Sequence, residues 1–257
     1  MKVKLDHAKD YKITSQALED ACTNKTRLLI INYPNNPTGR ILHEDEADIL
    51  EAFLLAHPQV YLLSDEVYER IVYGRHSISM AARPSVRERV ITMNGFSKSV
   101  AMTGWGMPGL GGGRGSRAAP KPVYDVAYKL YQHSLSCMSG FLQKGAMEAF
   151  RCQREIEDMR QVYEHRRDLF TSALDAIPGV RCLKPEGAFY AWVFFDIRGM
   201  TSEEMCEYLM EKAGVVGMPG TAYGEESACC MRFSFATATA DLERAAEKIT
   251  AALTALQ

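Results

Sequence analysis

The chain has 257 residues, enough for one large domain or two modest ones, and 47% apolar with 24% charged residues is ordinary for a globular protein. A formal net charge of -2 leaves no basic footprint for nucleic acid or an anionic membrane surface, so neither partner is expected. The longest apolar run near the N-terminus, Leu28-Leu29-Ile30-Ile31, is far too short for a membrane span or a signal peptide. Seven cysteines, an odd number without metal-ligand spacing, read as reduced thiols of a cytoplasmic protein; the adjacent Cys229 and Cys230 bridge only under strain.

Residues 15–22 read as a helix with Ser15 as cap and Leu18 and Cys22 inward. The run 27–32 (RLLIIN) has the pattern of a strand buried on both faces, followed by a loop from Tyr33 to Gly39. Next comes a helix with an acidic first turn, Glu44-Asp45-Glu46, and an apolar stripe of Ile49, Leu50, Phe53 and Leu54. Residues 60–64 and 90–94 read as two more buried strands. Strands alternating with helices predict an α/β domain with a mostly parallel sheet.

Seven of the twelve residues from Gly104 to Gly115 are glycine, which disfavours a buried strand there. Helical periodicity returns after Pro122 and runs with breaks to about residue 150; His133 and Cys137 read as packing residues rather than ligands. A long charged helix over 154–176 ends at Ile177-Pro178-Gly179. The texture then becomes that of a small α+β unit. Its predicted elements are a strand over 188–195, a helix over 202–213 capped by Ser202, a strand over 230–235 and a closing helix over 241–256. The expected domains are therefore residues 1–165 and a small C-terminal domain, 166–257.

Three groups with distinct chemistry fall at or just beyond strand ends, where α/β sheets gather their ligands. Asn36 follows the first strand, Asp65 the second, and Lys98, in Ser97-Lys98-Ser99, the third. An amide, a carboxylate and an amine are thus delivered together. Arg232 lies on a strand whose alternation puts Met231, Phe233 and Phe235 on one face and Arg232 with Ser234 on the other. The plainer roles are a cap of the following helix for Asp65, packing for Tyr68, turn chemistry for Asn36-Pro37 and a solvated surface for Lys98 and Arg232.

In order and spacing, Asn35-Asn36-Pro37-Thr38-Gly39, Ser64-Asp65-Glu66-Val67-Tyr68 and Ser97-Lys98 with Met102-Thr103-Gly104-Trp105 resemble the class I/II (fold type I) aminotransferases. Pro185-Glu186-Gly187-Ala188-Phe189-Tyr190 and Arg232-Phe233-Ser234-Phe235 look like motifs of that family's small domain. The resemblance implies a three-layer pyridoxal-phosphate (PLP) transferase large domain joined to a small α+β domain. It implies pyridoxal 5'-phosphate as cofactor, an amino acid and a 2-oxo acid as substrates, and a homodimer. Lys98 would form the Schiff base and shuttle the substrate's proton. Asp65 would pair with the pyridine nitrogen, Tyr68 and Asn36 would hydrogen-bond the phenolic oxygen, and Ser97 would touch the phosphate. Arg232 would grip the α-carboxylate, with Asn36 beside it.

Two departures from the family pattern stand out. Gly106 occupies the place of an arginine that clamps the cofactor phosphate, a loss worth about 2–4 kcal/mol of cofactor binding. Resemblance lapses over 106–119 and then recovers, the signature expected of a local reading-frame slip. The resemblance also implies a further segment ahead of the point matching Met1. That segment would hold most of the phosphate seat, an aromatic stacked on the ring and a tyrosine reaching across the dimer. An aminotransferase is the leading expectation; a PLP-dependent β-lyase or a non-catalytic fragment or partner of a longer homologue are the alternatives.

Overall fold

The computed structural model describes residues 1–105, the backbone of 108 and 109, and residues 120–134, 136 and 139–256. Gly106, most of the glycine-rich segment and Cys137 lie outside the described residues. The chain divides into two compact units. One comprises Met1–Pro34, Ile41–Arg70 and His76–Ile156; the other comprises Asn35–Arg40, Ile71–Arg75 and Glu157–Gln257.

The first unit is built on three parallel strands, β1 (Leu28–Asn32), β2 (Tyr61–Asp65) and β3 (Val90–Gly95), in that spatial order. A two-residue strand, β4 (Pro108–Gly109), runs antiparallel on β3. Parallel neighbours need a crossover, and α2 (Glu44–Ala56) supplies the one between β1 and β2. Its N-cap, His43, makes no side-chain capping bond, so the acidic first turn is what complements the helix dipole. Leu50, Phe53 and Leu54 of α2 and Leu18 of α1 (Ser15–Ala21) are buried in one core with Ile31, Leu62 and Val90. A smaller cluster joins Met102, Phe96 and Val100 to Leu142, Ala146 and Ala149 of α5 (Gly140–Ala149). Between these, α3 (Phe96–Ser99) follows β3 directly, and α4 (Lys121–Ser134) has no buried residue.

Several sequence expectations are corrected here. Among the described residues β1 lies at the edge of its sheet and is not buried on both faces: Leu28 and Ile30 are 45% and 63% exposed, while Ile31 is buried. An unbroken apolar run reports two apolar faces, but only packing decides whether both are covered. The cap of α1 is Thr14, whose hydroxyl accepts from Ala17 N at 3.2 Å, not Ser15. Two adjacent hydroxyl residues carry the same signal, and the cap is the one that keeps extended backbone angles. His133 is exposed rather than packed.

The second unit contains α6 (Gln153–Asp175) from Glu157 onward and a four-stranded antiparallel sheet of order β5-β6-β8-β7. These strands are β5 (Val180–Leu183), β6 (Tyr190–Phe195), β7 (Met218–Pro219) and β8 (Cys230–Ser234). Helices α7 (Ser202–Ala213) and α8 (Thr239–Leu256) pack with one another, Tyr208 donating its hydroxyl to Ala252 O at 2.8 Å. The cap of α7 is Thr201 rather than Ser202, and Glu204 completes a reciprocal capping box with it. All six residues of β6 are buried, and β8 shows the expected alternation, with Met231 and Phe233 buried and Ser234 exposed.

Candidate active site

In the first unit, Asp65 is the last residue of β2, in register with Asn32 on one neighbouring strand and Met93 on the other. Two residues beyond Met93 β3 ends, and Lys98 follows on α3. Asp65, Tyr68, Ser97 and Lys98 thus gather at the carboxyl ends of adjacent parallel strands, because a parallel sheet points all its strand ends one way. The corner is tied by Ser99 Oγ, which donates to Val67 O at 2.9 Å. Asp65 Oδ1 accepts from Val67 N at 3.2 Å, but the segment that follows is a turn and not the expected helix. Burial raises the Asp65 pKa, opposed by the Val67 amide and by Asn32. Tyr68 is buried, and Lys98 Nζ has no hydrogen-bond or ion-pair partner among the described residues.

Glu66, beside Asp65, is a buried carboxylate to which the sequence drew no attention. Its Oε1 accepts from Ser64 Oγ at 2.9 Å and Ser79 Oγ at 2.8 Å, and its backbone N donates to Met93 O at 2.8 Å. Burial raises its pKa too, against those two hydroxyl bonds. It acts as a tie that fixes where β2 ends. The signal lay in the serines at 64 and 79, which only the fold brings to it.

In the second unit, Asn36 and Arg232, 196 positions apart, meet directly: Arg232 Nη1 donates to Asn36 Oδ1 at 3.0 Å. The bond turns the amide oxygen toward the guanidinium and its NH2 end away. The guanidinium carbon lies 4.5 Å from the centre of the Tyr190 ring and 5.4 Å from that of Tyr223. Tyr223 is itself held edge-on by buried Trp192, with centroids 5.5 Å apart. Two aromatic faces and one amide therefore orient Arg232, and its buried Nε has no hydrogen-bond partner among the described residues. Sequence reasoning missed Tyr223, which follows a short 3-10 turn at 220–222 and has no periodic signal.

The loop bearing Asn36 is fixed from within. Thr38 N and Oγ1 donate to Asn35 Oδ1 at 3.1 and 2.8 Å, and Gly39 N donates to Asn35 O at 2.9 Å. Gly39 O accepts from both Glu186 N and Gly187 N at 2.8 Å, which joins this turn to the Pro185–Phe189 loop.

A lysine amine, a carboxylate, a phenol and a hydroxyl stand at the parallel strand ends of the first unit, and the second unit holds an arginine oriented by an amide and two aromatic rings. The donor set fits pyridoxal phosphate: an amine for its aldehyde, a carboxylate for its ring nitrogen, and hydroxyl donors for its oxygens. Comparison with known proteins agrees. Residues 1–249 match the family model "Aminotransferase class I and II", and the chain belongs to that family, whose members use pyridoxal phosphate.

An aspartate aminotransferase from Musicola paradisiaca is 40% identical over 250 residues, 95% of this chain and 60% of the relative. Aromatic-amino-acid aminotransferase 2 from Thermococcus litoralis is 38% identical over 244 residues, 93% of this chain and 60% of the relative. The crystal structure of an aromatic aminotransferase from Pyrococcus horikoshii superposes with a TM-score of 0.89 at 34% identity, covering 99% of this chain and 67% of that one. The family's α/β fold with a parallel sheet is thereby established. The chain spans about 60% of the length of these curated relatives.

Proposed function

We propose that this chain carries aminotransferase machinery for exchanging an amino group between an amino acid and a 2-oxo acid with pyridoxal phosphate. The observation that carries the reading is Lys98, an amine with no partner among the described residues, at the same strand-end corner as the half-buried carboxylate of Asp65. Pyridoxal phosphate supplies, when bound, an aldehyde that takes up amines and a ring that accepts electrons. Lys98 Nζ would hold that aldehyde and would carry a proton to and from the substrate Cα. Asp65 would face the ring nitrogen, since a half-buried carboxylate gains most from a cationic partner. Tyr68 and Asn36 serve the phenolic oxygen and Ser97 the phosphate. Arg232 takes the substrate carboxylate, for which its Nε–H has no other partner among the described residues.

Relatives named for aspartate and for aromatic amino acids set the donor classes to screen first. The working form we propose is a cytoplasmic homodimer; Tyr124, Tyr128 and Leu130 on α4 are exposed, as a subunit contact requires. Among the described residues, no helix is long and apolar enough to cross a membrane.

The test is to mix the purified chain with pyridoxal phosphate, reduce it with borohydride and map the modified peptide by mass spectrometry. A single adduct on Lys98, absent in Lys98→Ala, is expected. Labelling scattered over surface lysines, or undiminished in Lys98→Ala, overturns the assignment.

A further inference from the structure

Where α1 and α2 end, the first unit brings together three side chains that the reading above leaves unused. Cys22, the C-cap of α1, places Sγ 3.8 Å from His57 Nδ1. His57, the C-cap of α2, places Nε2 3.0 and 3.1 Å from the two carboxylate oxygens of Glu19. The His57 ring also lies against Phe53, with centroids 4.5 Å apart, which fixes its plane.

The order thiol, imidazole, carboxylate has a chemical direction. Glu19 accepts the Nε2 proton, so the lone pair of a neutral His57 sits on Nδ1 and faces the thiol. A nucleophile, a base within reach and a third group that orients the base are the parts an activated thiol requires. The other acceptor near Sγ, the carbonyl of Thr23 at 3.8 Å, takes no proton. Arg89 donates to the carbonyls of Leu54, His57 and Val60, which ties down the end of α2 that carries His57.

A pocket of about 280 Å³ opens beside Cys22. It is lined by Thr23, Lys25 and Thr26 and by the apolar residues Leu18, Leu29 and Phe53. That lining suits a small molecule with a carboxylate and a short apolar stem.

We propose that Cys22 is a thiol-exchange site, with His57 as its base and Glu19 as the positioning residue, for a small disulfide bearing carboxylates. Cys22 passes its proton to His57 Nδ1, and Sγ attacks one sulfur of the disulfide. The S–S bond breaks, and the departing thiolate takes the proton from His57. The products are a mixed disulfide on Cys22 and one free small thiol, so atoms and electrons balance. The site is independent of the aminotransferase chemistry.

Cys229 is the internal control. It is exposed, and its sulfur lies 3.9 Å from Cys230 Sγ, so among the described residues it has access without a base. Access alone makes Cys229 the first thiol to react; the triad makes it Cys22. The whole chain is treated with glutathione disulfide, quenched in acid at intervals, and each cysteine's modification followed by peptide mass spectrometry. Cys22 is expected to react first. His57→Gln should slow Cys22 on the order of tenfold or more, the loss of a general base, and leave Cys229 unchanged. Glu19→Ala, at a half-exposed surface position, should slow Cys22 by less. Modification of Cys229 ahead of Cys22, or an unchanged Cys22 rate in His57→Gln, overturns the proposal. If His57→Gln does not fold, Glu19→Ala decides, and an unchanged Cys22 rate there is equally fatal.

Discussion

Replacing Gly39 by alanine tests whether the loop that carries Asn36 is seated as described. The residue has φ of +71°, a left-handed conformation that an L side chain adopts at a cost of about 1–2 kcal/mol. A Cβ built there meets Pro185 Cβ at 2.4 Å, Pro185 Cα at 3.0 Å and Gly187 O at 3.1 Å. Pro185 is rigid, so the clash moves one loop off the other and threatens the two bonds that Gly39 O accepts from Glu186 and Gly187. Overpacking of this kind costs about 1–3 kcal/mol. The sum is about 2–5 kcal/mol. Gly74 isolates the first contribution: its φ is +72°, yet a Cβ there meets nothing within 4 Å. Gly74→Ala should therefore cost only about 1–2 kcal/mol. Urea unfolding of both variants measures the difference, and titration with a carboxylate ligand shows whether Asn36 and Arg232 have shifted. Equal destabilisation by the two substitutions would refute the steric account of the Asn36 loop.

Asp65→Asn should stabilise the cofactor-free chain at neutral pH while weakening pyridoxal phosphate binding. Burial raises the folded-state pKa, so the ionised carboxylate costs stability as pH rises from the ordinary carboxylate value of 3.8 through the folded pKa. The variant's advantage should vanish as pH falls back through that window; denaturation curves at several pH values measure it, and a constant or growing advantage at low pH contradicts it. Tyr223→Leu should weaken carboxylate binding several-fold without changing cofactor affinity, while Tyr223→Phe keeps the ring and the binding, as isothermal titration would show. Arg232→Ala is the companion: if it leaves carboxylate binding intact, the role of Arg232 itself is wrong. Tyr73→Phe removes a buried hydroxyl that donates to Ala188 O at 2.5 Å and should cost about 1 kcal/mol in urea unfolding, with activity unaltered.

What the sequence determined by itself was local chemistry and its order along the chain. The alternation of apolar runs with amphipathic stretches was enough for parallel β1, β2 and β3, because a strand–helix–strand order leaves few other ways to bury them. Asp65 and Lys98 were legible because each stands at or just past a strand end, and Arg232 because strand alternation sets it opposite Met231 and Phe233. Tertiary structure alone decided which faces are covered: Ile30 and Ile31 read alike in sequence, yet one is exposed and the other buried. It also decided that residues 35–40 and 71–75 pack with the later part of the chain. The bond from Arg232 to Asn36, the rings of Tyr190 and Tyr223 around that guanidinium, and the meeting of Cys22 with His57 all join residues far apart in sequence. Such contacts depend on where helices end and how turns close, and those are settled by packing, not by local propensity.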